Sequence, residues 1–461
     1  MIIIEIPWID PVNAAAAMAS QPRLALLDSA MPHETLGRWS YLAASPFGRF
    51  KVVDGVAHWN DAVVDGAPME ALRHLLRQHA RPAVPGAPPF TGGAIGNFAY
   101  EAGHLFERLG SSVPSAAPGS SQIDLPFYDR LLAFDTIEKR AFAIAPDQAG
   151  AERLVEGLEA QPRQAPAPSA LIWRDSRSRS EYEAEVARVV GYIRDGDIFQ
   201  ANLSHRFSAT PQHGADPLAT YLALRRSNPA PFAALLVDGE RFIASTSPER
   251  FLRLDAGPNA GQENGAQVEA RPIKGTKRRC AHPAMDLAIA QSLARSEKDR
   301  AENIMIVDLL RNDLSRVCEA GSVEVPLLCG IETYASVHHL TSAVTGRLKA
   351  GLDATDLIAA TFPGGSITGA PKIRAMEIIG ELEREPRGAY CGAIGWIGFD
   401  GAADLNIAIR TLTYDGQELV VRAGGGITLL SDPFAEYDET LAKAERLIAA
   451  FEDPARAEEA A

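Results

Sequence analysis

The sequence predicts a large α+β protein rather than a regular βαβ alternation, on three observations. Short β-like runs and amphipathic helical runs follow one another in mixed order, the helical candidates are long, and several strand candidates are interrupted by glycine. With 461 residues, the chain can bury a large core and form one big domain or two ordinary ones.

In chain order, "LALLDSA" (24–30), "RFKVVDG" (49–55), "RLLAFDT" (130–136) and "RAFAIAP" (140–146) read as strands, and "PMEALRHLLRQHA" (68–80) as a helix. "LEAQPRQAPAPSA" (158–170), rich in Pro, Ala and Gln, reads as a surface connection. It divides an N-terminal region, 1–165, from a larger one, 166–461. Beyond it, "SRSEYEAEVARVVGYIRDGD" (178–197) has helical spacing, and "FIASTSPERFLRL" (242–254) reads as strand, turn, strand. One long helix is expected over "QSLARSEKDRAENIMIVDLLRNDLSRV" (291–317). "CGAIGWIGFD", "ADLNIAIRTLTYD" and "ELVVRAGGGIT" are strands broken by glycine. The last helix has Asp432 as N-cap and Pro433 at its first position, with Phe434, Tyr437, Leu441, Ala444, Leu447 and Phe451 as its buried stripe.

Composition narrows the function. Hydrophobic residues at 46% and charged residues at 23% are ordinary globular values. A net charge of −14 argues against nucleic acid as the main partner. It also means that an anionic substrate needs local help from basic residues, helix N-termini or a metal. "MIIIEIPWIDP" lacks the basic segment of a secretory signal, and no stretch approaches the ~20 apolar residues of a membrane span. Cys280, Cys318, Cys329 and Cys391 show no CxxC pairing and read as free thiols of a cytoplasmic protein.

Two acidic pairs stand out, Asp299 with Glu302 and Glu436 with Glu439, each at i, i+3 on a candidate helix. A solvated charged face is the bland reading. However, Glu302 runs into the apolar "NIMIVDLL", and the second pair follows the strand end "AGGGI". Carboxylates with room left for water and substrate are what Mg²⁺ prefers. "FPGGSITGAPKIRAMEII" sets glycines and hydroxyls ahead of a helix with Pro371 at its first position, an arrangement that favours anions. Ala370 and Pro371 stand where a nucleotide loop needs Lys and Ser/Thr, so nucleotide binding is rejected. There is also no GxSxG, HExxH or dinucleotide fingerprint. Lys274, framed by Pro272-Ile273 and Gly275-Thr276, is a lysine whose backbone suits an aimed side chain.

"SPERF" (247–251), "PIKGT" (272–276), "EKDRAENIMIVDLLRNDL" (297–314), "TFPGGSITGAPK" (361–372), "RGAYCGAIG" (387–395), "IAIRT" (407–411) and "AGGGI…SDPFAEYDET" (423–440) occur in order. Together they resemble the chorismate-utilising enzymes, which include anthranilate, isochorismate, salicylate and aminodeoxychorismate synthases. The likeness runs over nearly all of 180–450 and continues more weakly into the N-terminal third ("GGAIGNFAYE", "DLPFYDRLLAFD").

The resemblance implies an anthranilate synthase component I-like fold, with mixed or antiparallel sheets packed as a sandwich among helices. It also implies one Mg²⁺ bridging the substrate's ring carboxylate to Glu302 and Glu439, with Asp299 and Glu436 acting through water. Arg410 and Tyr390 fall where the family grips the enolpyruvyl carboxylate, a task suited to a forked guanidinium. The amides of Gly424, Gly425 and Gly426 can approach the ligand because no Cβ intervenes. Gly275, Thr276, Ser366 and His339 join this pocket, although His339 reads equally well as a satisfied core histidine. Glu249 takes the general-acid position, protonating the departing C4 hydroxyl.

Relatives that make anthranilate or isochorismate resemble this chain but carry Ala at the position of Lys274. With lysine there, the amine is expected to attack C2 and expel the C4 hydroxyl, and ammonia at C4 then expels the lysine to give 4-amino-4-deoxychorismate. Such a lysine must be neutral part of the time. Burial, and Arg271, Lys277, Arg278 or Arg279 if they point inward, would lower its pKa. Gln200 in "FQANLSHR" replaces the lysine base of isochorismate-type enzymes, which disfavours water attack. No cysteine sits in a G-x-C-x-G glutaminase turn, so ammonia is expected from a separate glutamine amidotransferase subunit. Nothing resembles the lyase that would release 4-aminobenzoate. "LLDSA" around Ser29 resembles a stretch that helps to bind tryptophan in feedback-regulated relatives, and it is open whether it holds an amino acid here.

Overall fold

The computed structural model describes residues 1–33, 36–117, 119–159, 165, 170–256, 265–334 and 337–451. Most of the 158–170 connection lies outside the described residues. Two sheets, each of twelve strands among the described residues, lie face to face with helices on their outer sides. Every pairing between the named strands is antiparallel.

The first sheet begins with Ile2–Ile6, Arg140–Ala145, Leu131–Asp135, Trp39–Ala43 and Ala25–Asp28. It continues through Phe232–Asp238, Arg241–Ser247, Thr411–Tyr414, Leu419–Ile427 and Gln200–Ala209. The second runs from Ile273–Arg278 through Val337–Arg347, Gln267–Arg271, Arg250–Leu254, Ala403–Ile407 and Ala393–Gly398. It then crosses to Gly93–Phe98, Ile123–Tyr128 and Gly48–Val53. The region before the connection therefore supplies one end of each sheet and the later region the other. They meet where Ala25–Asp28 pairs with Phe232–Asp238 and where Gly93–Phe98 pairs with Ala393–Gly398.

Tyr41, Leu131 and Phe142 of the first sheet meet Ile95 and Trp396 of the second in the layer between them. Outside the second sheet, Phe50, Leu125 and Phe127 pack under the helices Pro68–Gln78, Glu297–Val317 and Ala354–Thr361. Outside the first, Leu235, Leu412 and Val421 share a core with Tyr221 and Leu224 of the helix Pro217–Ser227 and Leu447 of Pro433–Ile448. Each such side chain contributes roughly 1.5–3 kcal/mol on leaving water.

Several local expectations change. The stretch 291–317 is two helices, Pro283–Ala294 and Glu297–Val317, because Ser296 caps the second by accepting from the Asp299 amide at 3.4 Å. "ADLNIAIRTLTYD" is two strands, Ala403–Ile407 and Thr411–Tyr414, separated at Arg410, whose φ is 50°. Pro371 precedes its helix, Lys372–Glu383, as the cap residue. In the last helix Tyr437, Ala444, Leu447 and Phe451 are buried, but Phe434 is 58% exposed, with the Arg179 guanidinium 4.3 Å above its ring. The strand Ile2–Ile6 and the helices Pro11–Ala17 and Gln148–Glu159 have no counterpart in the expected order.

Candidate active site

One cavity of about 460 Å³ is lined by Lys274, Glu249, His339, Gly275, Thr276, Ser366, Tyr390, Arg410, Gly424, Gly425, Gly426, Asp299, Glu302, Glu436 and Glu439. The fold thus brings into one place every residue singled out for the reaction, from segments nearly 200 positions apart. The cavity is bounded by the strand Leu419–Ile427, by the first two turns of Glu297–Val317 and by one face of Pro433–Ile448 from Glu436 to Leu447.

Both acidic pairs stand in the first two turns of capped helices. Ser296 caps one, and Asp432 caps the other by accepting from Ala435 N at 3.0 Å. A helix N-terminus favours negative charge only over its first turn, which reaches Asp299 and Glu436, whereas Glu302 and Glu439 lie in the second turn and are faced by Lys274, Lys298 and Lys443. Glu436 is buried and accepts from Ser431 Oγ at 2.7 Å, while its Oε1 lies 3.5 Å from Lys298 Nζ. Glu439 is more exposed and pairs with Lys443 at 2.8 Å, which holds its pKa low. Burial pushes the Glu302 carboxyl up, against the pull of Lys274 and Lys298. Neither Glu302 nor Asp299 has an ion pair within 4 Å among the described residues.

All four donors are hard oxygens, which suit a divalent cation such as Mg²⁺. No three His, Cys, Asp or Glu groups among the described residues form a ready-made metal cluster. A cation here would therefore take its remaining ligands from water and from an incoming carboxylate.

Lys274 lies on Ile273–Arg278 with its ammonium facing the cavity, donating to the carbonyl of Ser366 at 3.2 Å. Burial lowers its pKa, opposed by Glu302 and Glu249 and aided by Lys443. Of the neighbouring basic residues Lys277 and Arg278 line the same cavity, but the main charge effects on Lys274 come from none of the four. Arg271 pairs with Glu269 and Glu332, Arg279 grips Asp286, and Lys277 donates to Ser292. Gly275 is required twice over: its φ is 78°, and a Cβ would stand 2.8 Å from Asp299.

Glu249 is buried and accepts from Ser366 Oγ at 2.8 Å. Burial raises its pKa to about 7, more than Ser366 and Lys274 lower it. A carboxyl that still holds its proton near neutrality can act as an acid. His339 is buried, with Nδ1 2.7 Å from Thr276 Oγ1, and burial lowers its pKa to about 3. Its neutral ring both lines the cavity and has a hydrogen-bond partner, so the two readings of it coexist.

Arg410 has its pKa lowered to about 10 by burial. Among the described residues its guanidinium has only the Asn228 amide oxygen, at 3.3 Å, and no carboxylate. Such a group is an anion receptor. It shares the cavity with Tyr390.

The glycine run divides its labour. A Cβ on Gly425 would come 3.3 Å from Glu436 Oε2 in the cavity. On Gly424 and Gly426 it would meet the Leu203 carbonyl at 2.2 Å and Gln200 Nε2 at 2.0 Å. All three backbones line the cavity, but only at Gly425 would a side chain point into it, whereas at Gly424 and Gly426 it would collide with the paired strand.

Sequence reading missed Lys298, Lys443, Asn202 and Arg446, which also line the cavity. Lys298 and Lys443 lie one and four residues from the carboxylates already singled out, so helical spacing was the available signal. Lys372, which closes "TFPGGSITGAPK", points away from the chemistry. It is buried and pairs with Asp313 at 2.8 Å, pinning that loop. Ser29 lines a separate cavity of about 490 Å³ with Asp28, Trp39 and Tyr41.

The cavity thus joins four carboxylates, the Arg410 guanidinium and the half-buried Lys274 within a fold of two packed antiparallel sheets, the arrangement of an enzyme. The model for the chorismate binding enzyme family matches residues 26–449, and the chain belongs to that family. It is 40% identical to aminodeoxychorismate synthase component 1 of Klebsiella aerogenes, over 97% of this chain and 98% of that one. It is 39% identical to the protein of the same name from Escherichia coli, over 94% of each. The crystal structure of anthranilate synthase component I from Streptococcus pneumoniae superposes with a TM-score of 0.79 at 34% identity, covering 91% of this chain and 94% of that one.

Proposed function

We propose that the protein is the chorismate-aminating component of an aminodeoxychorismate synthase. It converts chorismate and ammonia to 4-amino-4-deoxychorismate and water, a step towards 4-aminobenzoate and folate. The observation that carries this reading is Lys274, an amine with lowered basicity in the cavity, joined through Ser366 to a carboxyl of raised pKa.

Arg410 and Tyr390 take the enolpyruvyl carboxylate, and the Gly425 backbone approaches the ring carboxylate. Glu302 and Glu439, backed by Glu436 and Asp299, would hold Mg²⁺, which would supply positive charge to offset that ring carboxylate. The neutral Lys274 amine forms a bond to C2, the ring double bonds shift, and the C4–O bond breaks. Glu249 gives its proton to the leaving oxygen, so water departs. Ammonia then bonds to C4 and the electrons return along the ring. The C2–N bond breaks, and Lys274 leaves as an amine.

Ammonia comes from a separate glutamine amidotransferase chain, a reading supported by the missing glutaminase turn and by the "component 1" in the relatives' names. The second reading, ammonia attack at C2 to give anthranilate, is supported by the likeness to anthranilate synthase component I. It is opposed by the lysine that occupies the space beside C2. Product analysis with chorismate, ammonia and Mg²⁺ decides between them. The expected product is converted to 4-aminobenzoate by an added lyase, and fluorescent anthranilate as the main product overturns the proposal.

A further inference from the structure

Lys298 has no part in the reaction as written, and it stands where its helix disfavours it. It is the second residue of Glu297–Val317, in the turn whose free amides and dipole repel a cation. Its ammonium lies 3.5 Å from Glu436 Oε1 on the facing helix. Both donors to Glu436, Ser431 and Lys298, use Oε1. Oε2, beside Gly425, has no donor among the described residues. Around the cavity, the carboxylates of Asp299, Glu302, Glu436 and Glu439 face the ammoniums of Lys274, Lys298 and Lys443.

We infer that Lys298 is the built-in counter-ion of this acidic set, holding Glu436 while no divalent cation is bound and withdrawing when one arrives. The inference rests on the proposed cation position. An ammonium held at Glu436 repels a divalent cation on the neighbouring carboxylates of Glu302 and Glu439, because like charges a few ångströms apart repel strongly near a protein surface. Lys298 can leave: its side chain is 46% exposed, on a flexible stem that reaches water. Lys274, by contrast, is held by the Ser366 carbonyl, and Lys443 is tied to both Glu439 and the Gly424 carbonyl. Lys298 therefore keeps the carboxylates apart and oriented in the free enzyme, at the cost of weaker cation binding.

The test uses Mn²⁺ alone, without chorismate or ammonia, and reads free Mn²⁺ by its paramagnetic resonance signal. Lys298→Met should bind Mn²⁺ at least about tenfold more tightly than the wild type, and Lys298→Arg should stay weak. Glu302→Gln, run in parallel, should lose the ion and so identify the site. Lys298→Gln serves as a second neutral variant should Lys298→Met not fold. Equal or weaker Mn²⁺ binding by a folded neutral variant overturns the counter-ion role while leaving the cation position standing. Mn²⁺ binding to neither chain, with or without chorismate, overturns the cation position itself and Lys298's role with it.

Discussion

Lys274 donates to the carbonyl of Ser366 at 3.2 Å, and the hydroxyl of that serine donates to Glu249 at 2.8 Å, so one residue sets the spacing of the amine and the acid. In the proposed reaction the two groups would act on opposite ends of the same electron shift.

Lys274→Ala should lose the covalent adduct and at least about a hundredfold of 4-amino-4-deoxychorismate formation. Small nucleophiles then reach C2, so anthranilate should appear, with less isochorismate because Gln200 is a poor base. Mass analysis of the peptide carrying Lys274, after incubation with chorismate and no ammonia, should find a substrate-derived adduct in the wild type. Lys274→Arg keeps the charge but cannot deprotonate to attack, so robust product from it would sink the covalent route.

Glu302→Gln and Glu439→Gln should each cut turnover by two orders of magnitude or more with unchanged circular dichroism, because each removes a charged oxygen from the cation position. Glu436→Gln should be milder, since its amide oxygen can still accept from Ser431. Near-normal turnover at ordinary Mg²⁺ would remove the residue concerned from the site.

Glu249 makes stability depend on pH in a defined sense. Its folded pKa, about 7, lies above the ordinary 4.5, so the folded state holds the proton more tightly. Its contribution is fully present below pH 4.5 and is lost as pH rises through 7. Glu249→Gln removes that loss and should melt above the wild type at pH 8, by up to about 3 kcal/mol, with the gap closing towards pH 4.5. Activity should show the complementary sign: kcat should fall on the alkaline side as Glu249 loses its proton. Parallel melting of the two proteins at all pH values would show that the carboxyl is not raised.

Gly425→Ala should fold normally but weaken chorismate binding, because its methyl group enters the cavity beside Glu436. Gly424→Ala should instead lower the melting temperature, since its Cβ would stand 2.2 Å from the Leu203 carbonyl of the paired strand. Thermal melts and KM values for the two variants separate the roles.

Arg387 and Glu383 form a fully buried pair at 2.6 Å, and Arg387 also donates to the carbonyls of Asn202 and Ile367. Arg387→Ala should cost about 3 kcal/mol by denaturant unfolding, because it leaves the buried Glu383 carboxylate only Arg422 at 3.9 Å and two bonds from Ser204. It should also loosen Ser366, one residue from a carbonyl that Arg387 holds.

The α+β class, most strands and the capped final helix were legible in the sequence because they follow from local properties: alternation, helical spacing, an Asp-Pro cap. The ordered motifs likewise marked Lys274, Glu249, Arg410 and both acidic pairs. What local pattern does not carry is which groups face each other. Only tertiary structure put Lys298 against Glu436, from helices more than a hundred residues apart, or turned Lys372 from a motif lysine into a buried partner of Asp313. Only packing showed that a side chain at Gly425 would enter the cavity while one at Gly424 or Gly426 would meet the paired strand, because alternate residues of a strand face opposite sides. Burial completed the chemistry. The lowered basicity of Lys274 and the retained proton of Glu249 arise from desolvation, a property of the folded surroundings that neither residue carries by itself.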